Sequence, residues 1–239
     1  MIPREADIRT RVETVRQRIA AACERVGRRP TEVTLVAVTK TVPTEAIQSA
    51  FAAGVRCFGE NRVQEAAAKI SPDLFREFKA APQWHLVGHL QTNKVKKALE
   101  LFHVIQSVDS LRLAEALQRQ AEMAPKTIEI FIEVNTSGEA SKFGVPPAQT
   151  LLLAHNISAL PNLQLTGLMT IGALTEDQAA IRRCFRQLRE LQREIAAAKF
   201  PGVNMRHLSM GMTDDFELAI EEGSTLVRVG RAIFGARKG

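Results

Sequence analysis

A (β/α)8 barrel, the TIM fold of the α/β class, is the architecture this sequence predicts, and three observations predict it. Eight short apolar runs, rich in β-branched residues, alternate with segments of helical periodicity. The alternation fills 239 residues, an ordinary length for one α/β barrel. A hydrophobic content of 45% supplies one sizeable core. No linker, low-complexity tract or short repeat divides the chain, so residues 1–239 are expected to form a single domain. An open doubly wound sheet is the competing architecture.

The elements follow in order. An extra helix precedes the barrel over residues 4–26, where Ile8, Val12, Val15, Ile19 and Val26 recur at helical spacing and Gly27 closes the run. Strand-like runs fall at 34–40, 55–60, 84–88, 103–109, 128–135, 163–170, 203–210 and 225–230. Helical segments lie between them at 44–53, 61–79, 91–100, 110–123, 146–159, 175–198 and 214–222, and 231–237 starts a last short helix. The segment from 175 is the clearest. Thr175 and Gln178 read as a capping box, and Ile181, Phe185, Leu188 and Ile195 line one face. Pro201-Gly202 then turns the chain into the next strand.

The net charge of +6 favours anions. Both signs are interspersed and no long Lys/Arg block occurs, so the excess reads as steering of a small anion and not as a specific nucleic-acid surface. Cys23, Cys57 and Cys184 are odd in number and outside any CxxC pattern, which fits a reduced chain without disulfides or structural zinc. The start of the chain is charged, and no apolar run approaches the length of a membrane span. A cytoplasmic protein without a membrane anchor is expected.

Barrel chemistry gathers where strands end and helices begin. The most informative such end is Lys40, after the apolar run Thr34-Leu-Val-Ala-Val-Thr. Partial desolvation there would lower an amine's pKa and free its lone pair for covalent chemistry. The plain alternative is a lysine snorkelling from a strand end. The loops after the seventh and eighth strands, Ser209-Met-Gly-Met-Thr213 and Gly230-Arg231, offer glycines and hydroxyls where barrels often hold phosphate. A lysine plus a phosphate cup points to a phosphorylated aldehyde held as a Schiff base. Both pyridoxal 5′-phosphate (PLP) and a phosphosugar in an aldolase meet that description.

Arg228 helps to separate them. A guanidinium only donates, so an arginine facing the pyridine nitrogen of PLP keeps that nitrogen unprotonated and weakens the ring as an electron sink. Alternatively Arg228 pairs with a carboxylate such as Glu217 or Glu222. Other residues carry plainer expectations. His85 and His89 flank Gly88 without a carboxylate or cysteine at metal-ligand spacing, so no metal site is expected. Asp109 reads as a helix N-cap, Asp214 and Asp215 as caps after the seventh strand, and Cys57 as a buried thiol.

The motifs together resemble the YggS/PROSC family of PLP homeostasis proteins. The resemblance rests on Val36-Ala-Val-Thr-Lys40, Phe58-Gly-Glu-Asn-Arg-Val-Gln-Glu65, Trp84-His-Leu-Val-Gly-His-Leu-Gln-Thr-Asn-Lys94, Ser107-Val-Asp109 and Val134-Asn-Thr-Ser-Gly138. It continues through Ser141-Lys-Phe-Gly144, Gly167-Leu-Met169, Leu208-Ser-Met-Gly-Met-Thr-Asp-Asp215 and Val227-Arg-Val-Gly-Arg231, in order along nearly the whole chain. It implies the barrel of fold-type III PLP proteins, like the alanine racemase N-terminal domain. It implies Lys40 as the Schiff-base lysine and Arg228 facing the pyridine nitrogen. By the same resemblance Ser209, Thr213, Gly230 and Arg231 hold the phosphate, while Asn61, His85 and Met210 line the ring pocket. The family often has Ser where this chain has Thr213, and the hydroxyl survives the exchange.

Composition bears on catalysis. The chain has no tyrosine. Racemases of fold-type III resemble one another in pairing a lysine with a tyrosine across the cofactor, the tyrosine coming from a second domain of a partner subunit. A chain without that tyrosine or that domain is expected to buffer or deliver PLP, with apo PLP-dependent enzymes as recipients, and to lack robust turnover. It is expected to be a monomer, because the racemase-type dimer interface is missing. A minimal amino-acid racemase, with His85 or a cysteine as substitute base, is the alternative. Lys142, after the fifth strand, is a candidate second amine for PLP in transit, or a solvated loop lysine.

Overall fold

All eight predicted strands form, and they close on themselves. The structure is a computed structural model that describes residues 5–76, 78, 80–123 and 126–235. The strands are β1 (Thr34–Val38), β2 (Cys57–Glu60), β3 (Gln83–Leu86), β4 (Val104–Val108), β5 (Ile128–Glu133), β6 (Leu163–Met169), β7 (Val203–Ser209) and β8 (Leu226–Val229). They are parallel and ordered 1 to 8 around a closed barrel, with β8 returning to β1 through Val36 opposite Arg228. The open-sheet alternative is thereby excluded. Closure leaves no edge strand exposed to pairing.

Helices cover the outside: α1 (Glu5–Glu24), α2 (Thr44–Ala52), α3 (Val63–Lys69), α4 (Val95–Leu101), α5 (Leu111–Met123), α6 (Pro147–Ser158), α7 (Gln178–Ala198), α8 (Phe216–Glu221) and α9 (Arg231–Phe234). The extra helix α1 buries Ile8, Val12, Val15 and Ile19 against α2, α8 and α9, across the seam where the barrel closes. Arg18 fixes that docking by reaching Glu217 at 3.0 Å and lying over the Phe216 ring. The first expected residue of this helix, Arg4, and the last two expected for the final one lie outside the described residues. Among the described residues, no helix is long and apolar enough to cross a membrane.

The expected helix at 61–79 is broken. α3 stops at Lys69, and a 3-10 turn occupies Pro72–Phe75. A proline pushes its predecessor out of the helical region, and Ser71 is extended at φ −122°, ψ 142°. Ser71 then caps the turn by accepting the Asp73 N–H at 3.2 Å. Phe75 and Phe78 pack with Phe51, and Phe75 also packs with Phe58 and Trp84, so apolar rings hold the broken segment against the barrel.

Apolar side chains divide into two clusters. The larger fills the layer between strands and helices. The smaller, Val36, Val104, Phe131, Met169 and Leu226 with Cys57 against it, comes from the strands and forms the floor inside the barrel. Three register shifts, in β4–β5, β5–β6 and β6–β7, accompany closure. Gly167 permits the shift in β6–β7: a Cβ there would lie 2.6 Å from the main-chain oxygen of His207.

Candidate functional site

Side chains alternate along a strand, so residues two apart share a face. That rule raises a polar layer on the apolar floor. Leu226 is followed two residues on by Arg228, Val104 by Gln106 and Phe131 by Glu133. All three polar side chains are buried, Arg228 and Glu133 each at 4% exposure.

The hydrogen bonds in this layer have fixed directions. Arg228 can only donate. Its Nη1 donates to Ser209 Oγ at 2.8 Å and its Nη2 to the main-chain oxygen of Thr170 at 2.7 Å. Ser209 Oγ therefore spends its own proton on Gln106 Oε1 at 2.6 Å. The Gln106 amide is thereby oriented, and its Nε2 donates to His85 Nδ1 at 2.7 Å. An accepting Nδ1 places the proton of neutral His85 on Nε2. Burial, helped by His103 and His207, pushes the His85 pKa down to about 3, so the ring is neutral near pH 7. Its Nε2 is a buried donor with no protein partner among the described residues. Arg228 stays charged, although burial brings it down to about 10.

Glu133 is the opposing acid. Burial raises its pKa to about 7, Asp109 adds to the rise, and Arg228 opposes it. Its Oε2 has no partner among the described residues, and neither has Asn61 Oδ1. The chains after β2 and β3 run in contact here. A Cβ on Gly88 would lie 2.4 Å from the Asn61 main-chain oxygen, so only glycine lets the two loops approach so closely.

Lys40 lies beyond β1, not within it. The strand ends at Val38, and residues 39–42 form a turn closed by the Val42 N–H on Thr39 O at 2.9 Å. Lys40 is half-buried at the carboxyl mouth. Thr41 takes φ 61°, a left-handed conformation that costs a β-branched residue about 1–2 kcal/mol. Carboxylates of β2 and α3 hold the turn. Lys69 Nζ donates to Thr39 O at 2.6 Å, Glu60 Oε1 at 2.9 Å and Glu65 Oε1 at 2.6 Å. The Thr39 hydroxyl donates to Glu60 at 2.7 Å, and the Thr41 N–H donates to Glu65. Burial raises the Glu60 pKa, and the bonds from Thr39 and Lys69 pull against it.

The loops after β7 and β8 are joined by an ion pair between Asp214 and Arg231. Thr213 and Gly230 are half-buried beside it, and Arg231 is exposed. The Ser209 side chain is fully buried, donates to Gln106 and accepts from Arg228. Met210 is fully buried and packs in the larger apolar cluster. Arg228 departs from its plainer alternative. Glu217 pairs with Arg18, and Glu222 with Arg182, Arg186 and Arg189.

The capping expectations shift by a residue or two. Asp177 caps α7 through the Ala179 N–H at 2.8 Å, and Thr175 accepts from Asp177 N, so no capping box forms. Ser110, not Asp109, accepts from the helix N–H of Leu113, while Asp109 Oδ2 lies 3.2 Å from His89 Nδ1. Asp215 accepts the Met212 N–H at 2.6 Å within its loop. Cys57 is half-buried, and burial raises its thiol pKa. Lys142 is half-buried and bonded to Glu139 at 2.6 Å and to Gly172 O at 2.8 Å. His89 stacks on Phe143 with ring centroids 4.1 Å apart.

Sequence reasoning missed Gln106, Glu133, Thr170 and the Glu60–Lys69–Glu65 cluster. The first two carry a signal, a polar residue two positions after an inward apolar one within an otherwise apolar run. Glu65 and Lys69 show only the common i,i+4 pairing of exposed helices.

The chain is similar to known proteins along nearly its whole length. Residues 11–238 match the family model described as alanine racemase, N-terminal domain. A pyridoxal phosphate homeostasis protein of Vibrio cholerae is 44% identical over 230 residues, 96% of each chain. A crystal structure of a protein from Bifidobacterium adolescentis is 46% identical with a TM-score of 0.92, covering 96% of this chain and 95% of that one. PipY of Synechococcus elongatus, solved with PLP bound, is 37% identical with a TM-score of 0.82, covering 95% of this chain and all of the other.

Proposed function

Because this chain belongs to the pyridoxal phosphate homeostasis proteins, built on the alanine racemase N-terminal domain, we propose that it binds PLP through Lys40 and buffers or delivers it in the cytoplasm. The observation that carries this reading is one place in the fold. Lys40 follows β1 at the barrel mouth, and β8, the strand paired with β1, carries the buried cation Arg228 in the layer below.

The residues suit the cofactor. His85 Nε2 and Asn61 Oδ1 are buried polar atoms without a partner among the described residues. Bound PLP supplies an aldehyde that a primary amine captures with loss of one water and releases by taking it back. Lys40 is the amine in this reading. Arg228 faces the pyridine nitrogen as a donor, locked in place by Thr170 and Ser209, so that nitrogen carries no proton. Thr213, Gly230 and Arg231 hold the phosphate, with Asp214 fixing the arginine. His85 and Asn61 line the ring.

The same arrangement disfavours turnover. A donor-only partner at the pyridine nitrogen lowers electron withdrawal, and the chain has no tyrosine to serve as a second base. The chain acts as a carrier for apo PLP-dependent enzymes and works as a monomer. The test compares visible spectra of the parent and Lys40→Ala, each with PLP and then borohydride. A yellow species fixed at Lys40 in the parent and missing in the variant is expected. No such species in the parent overturns the reading, and rapid interconversion of D- and L-amino acids overturns the carrier role alone.

A further inference from the structure

Lys40 stands between two threonines, and one ionic cluster grips both. Before it, Thr39 is held twice: its main-chain oxygen accepts from Lys69 at 2.6 Å, and its hydroxyl donates to Glu60 at 2.7 Å. After it, the Thr41 N–H donates to Glu65. Lys69 joins the two sides, because an ammonium has three donors and these go to Thr39, Glu60 and Glu65. The hub is 12% exposed and Glu60 is fully buried, so the contacts are shielded from the solvent screening that weakens surface pairs.

Barrel closure does not call for this cluster. The β1–β2 ladder already continues through the Thr39 N–H on Gly59 O at 2.9 Å. The bonds from Lys69 and Glu65 act beyond the strand, on a turn whose Thr41 holds a left-handed conformation.

We infer that Glu60, Lys69 and Glu65 are positioning residues for Lys40: they fix the backbone on both sides of it, so that its amine is presented to an aldehyde without first being ordered. The inference rests on Lys40 being the PLP anchor, and it concerns the covalent hold alone. Preorganisation of this kind strengthens capture by removing an ordering cost from the binding step. The phosphate contacts, and those of His85 and Arg228 with the ring, come from strands outside the cluster and are left as they were.

The test uses the full chain and two ligands. PLP carries the aldehyde, and pyridoxine 5′-phosphate has the same ring and phosphate without it. Dissociation constants are measured for the parent, Lys69→Met, Lys69→Arg and Glu65→Met. Amide exchange of Thr41 is followed by NMR in the cofactor-free proteins. Lys69→Met is expected to weaken PLP at least tenfold, to leave pyridoxine 5′-phosphate within twofold, and to speed Thr41 exchange at least tenfold. Lys69→Arg recovers part of each loss. Glu65→Met, at a more exposed position, reproduces the Thr41 effect if Lys69→Met does not fold.

Equal weakening of both ligands would show a general disturbance of the pocket and overturn the inference. Unchanged PLP affinity with unchanged Thr41 exchange would overturn it too. If borohydride fixes nothing at Lys40 in the parent, the PLP reading itself has failed. Thr41 exchange would then still decide whether the cluster holds the turn.

Discussion

On β4, β5 and β8 the lower and upper layers of the barrel interior stand two residues apart, yet they do opposite work. Below are Val36, Val104, Phe131, Met169 and Leu226, which touch one another and satisfy themselves. Above are His85, Gln106, Ser209 and Arg228, joined by directed hydrogen bonds, with Glu133 opposing the arginine charge, and single atoms of His85 and Glu133 have no partner among the described residues. The floor is stable because packing is its own reward. The upper layer is costly because buried polar groups in low dielectric must be paired in full. A protein keeps such a layer where something is meant to complete it.

Substitutions can break this contrast, and the largest effect belongs to the floor. Phe131→Ala is expected to cost about 3–5 kcal/mol in denaturant unfolding, with PLP affinity of the folded fraction changed far less. Equal loss of affinity and stability would mean that the two layers are not separable. Arg228→Ala comes next. It strands the Thr170 oxygen and Ser209 and is expected to cost about 2–3 kcal/mol, together with a PLP affinity loss that Phe131→Ala does not show.

Glu133→Gln tests the upper layer by pH. The folded acid has its pKa raised to about 7 from 4.5. The folded state therefore binds a proton that the unfolded state has released between those values, and stability falls as pH rises through that window. Glu133→Gln is expected to be about 1–3 kcal/mol more stable than the parent at pH 8 and no more stable at pH 4. A gain at both pH values would point to packing instead of charge. His85 acts in the other direction. Its pKa falls to about 3 from 6.5, so the parent loses stability as pH drops through that range, and His85→Gln should flatten the loss. Ser209→Ala is the smallest, at about 1 kcal/mol, because one hydroxyl leaves a chain otherwise intact. If its main effect were instead on phosphate affinity, Ser209 would belong to the anion cup after all.

Much of the fold was legible because periodicity is local. The alternation of apolar runs located all eight strands to within a few residues, and Ile181, Phe185, Leu188 and Ile195 marked the face α7 buries. The errors also have local causes. The helix expected through 79 ignored what Pro72 does to Ser71, and the box expected at Thr175 lost to Asp177, whose carboxylate reaches the Ala179 N–H directly. At the candidate site, Lys40 and Arg228 stood out as charges in or beside apolar strand runs.

By itself the sequence determined the order of elements, the extra helix, the positions of the charged residues in the strand runs and the lack of any tyrosine, since each depends on neighbours in the chain or on composition alone. Tertiary structure decided which polar groups meet. Gln106, Ser209 and Arg228 come from three strands and are up to 122 residues apart, and the direction of their hydrogen bonds follows only from Arg228 having no acceptor. The grip of Glu60, Glu65 and Lys69 on the turn at Lys40 is of the same kind. Closure of the barrel brings the first set together and the pairing of β1 with β2 the second, because side chains distant in sequence interact only once the backbone between them is fixed.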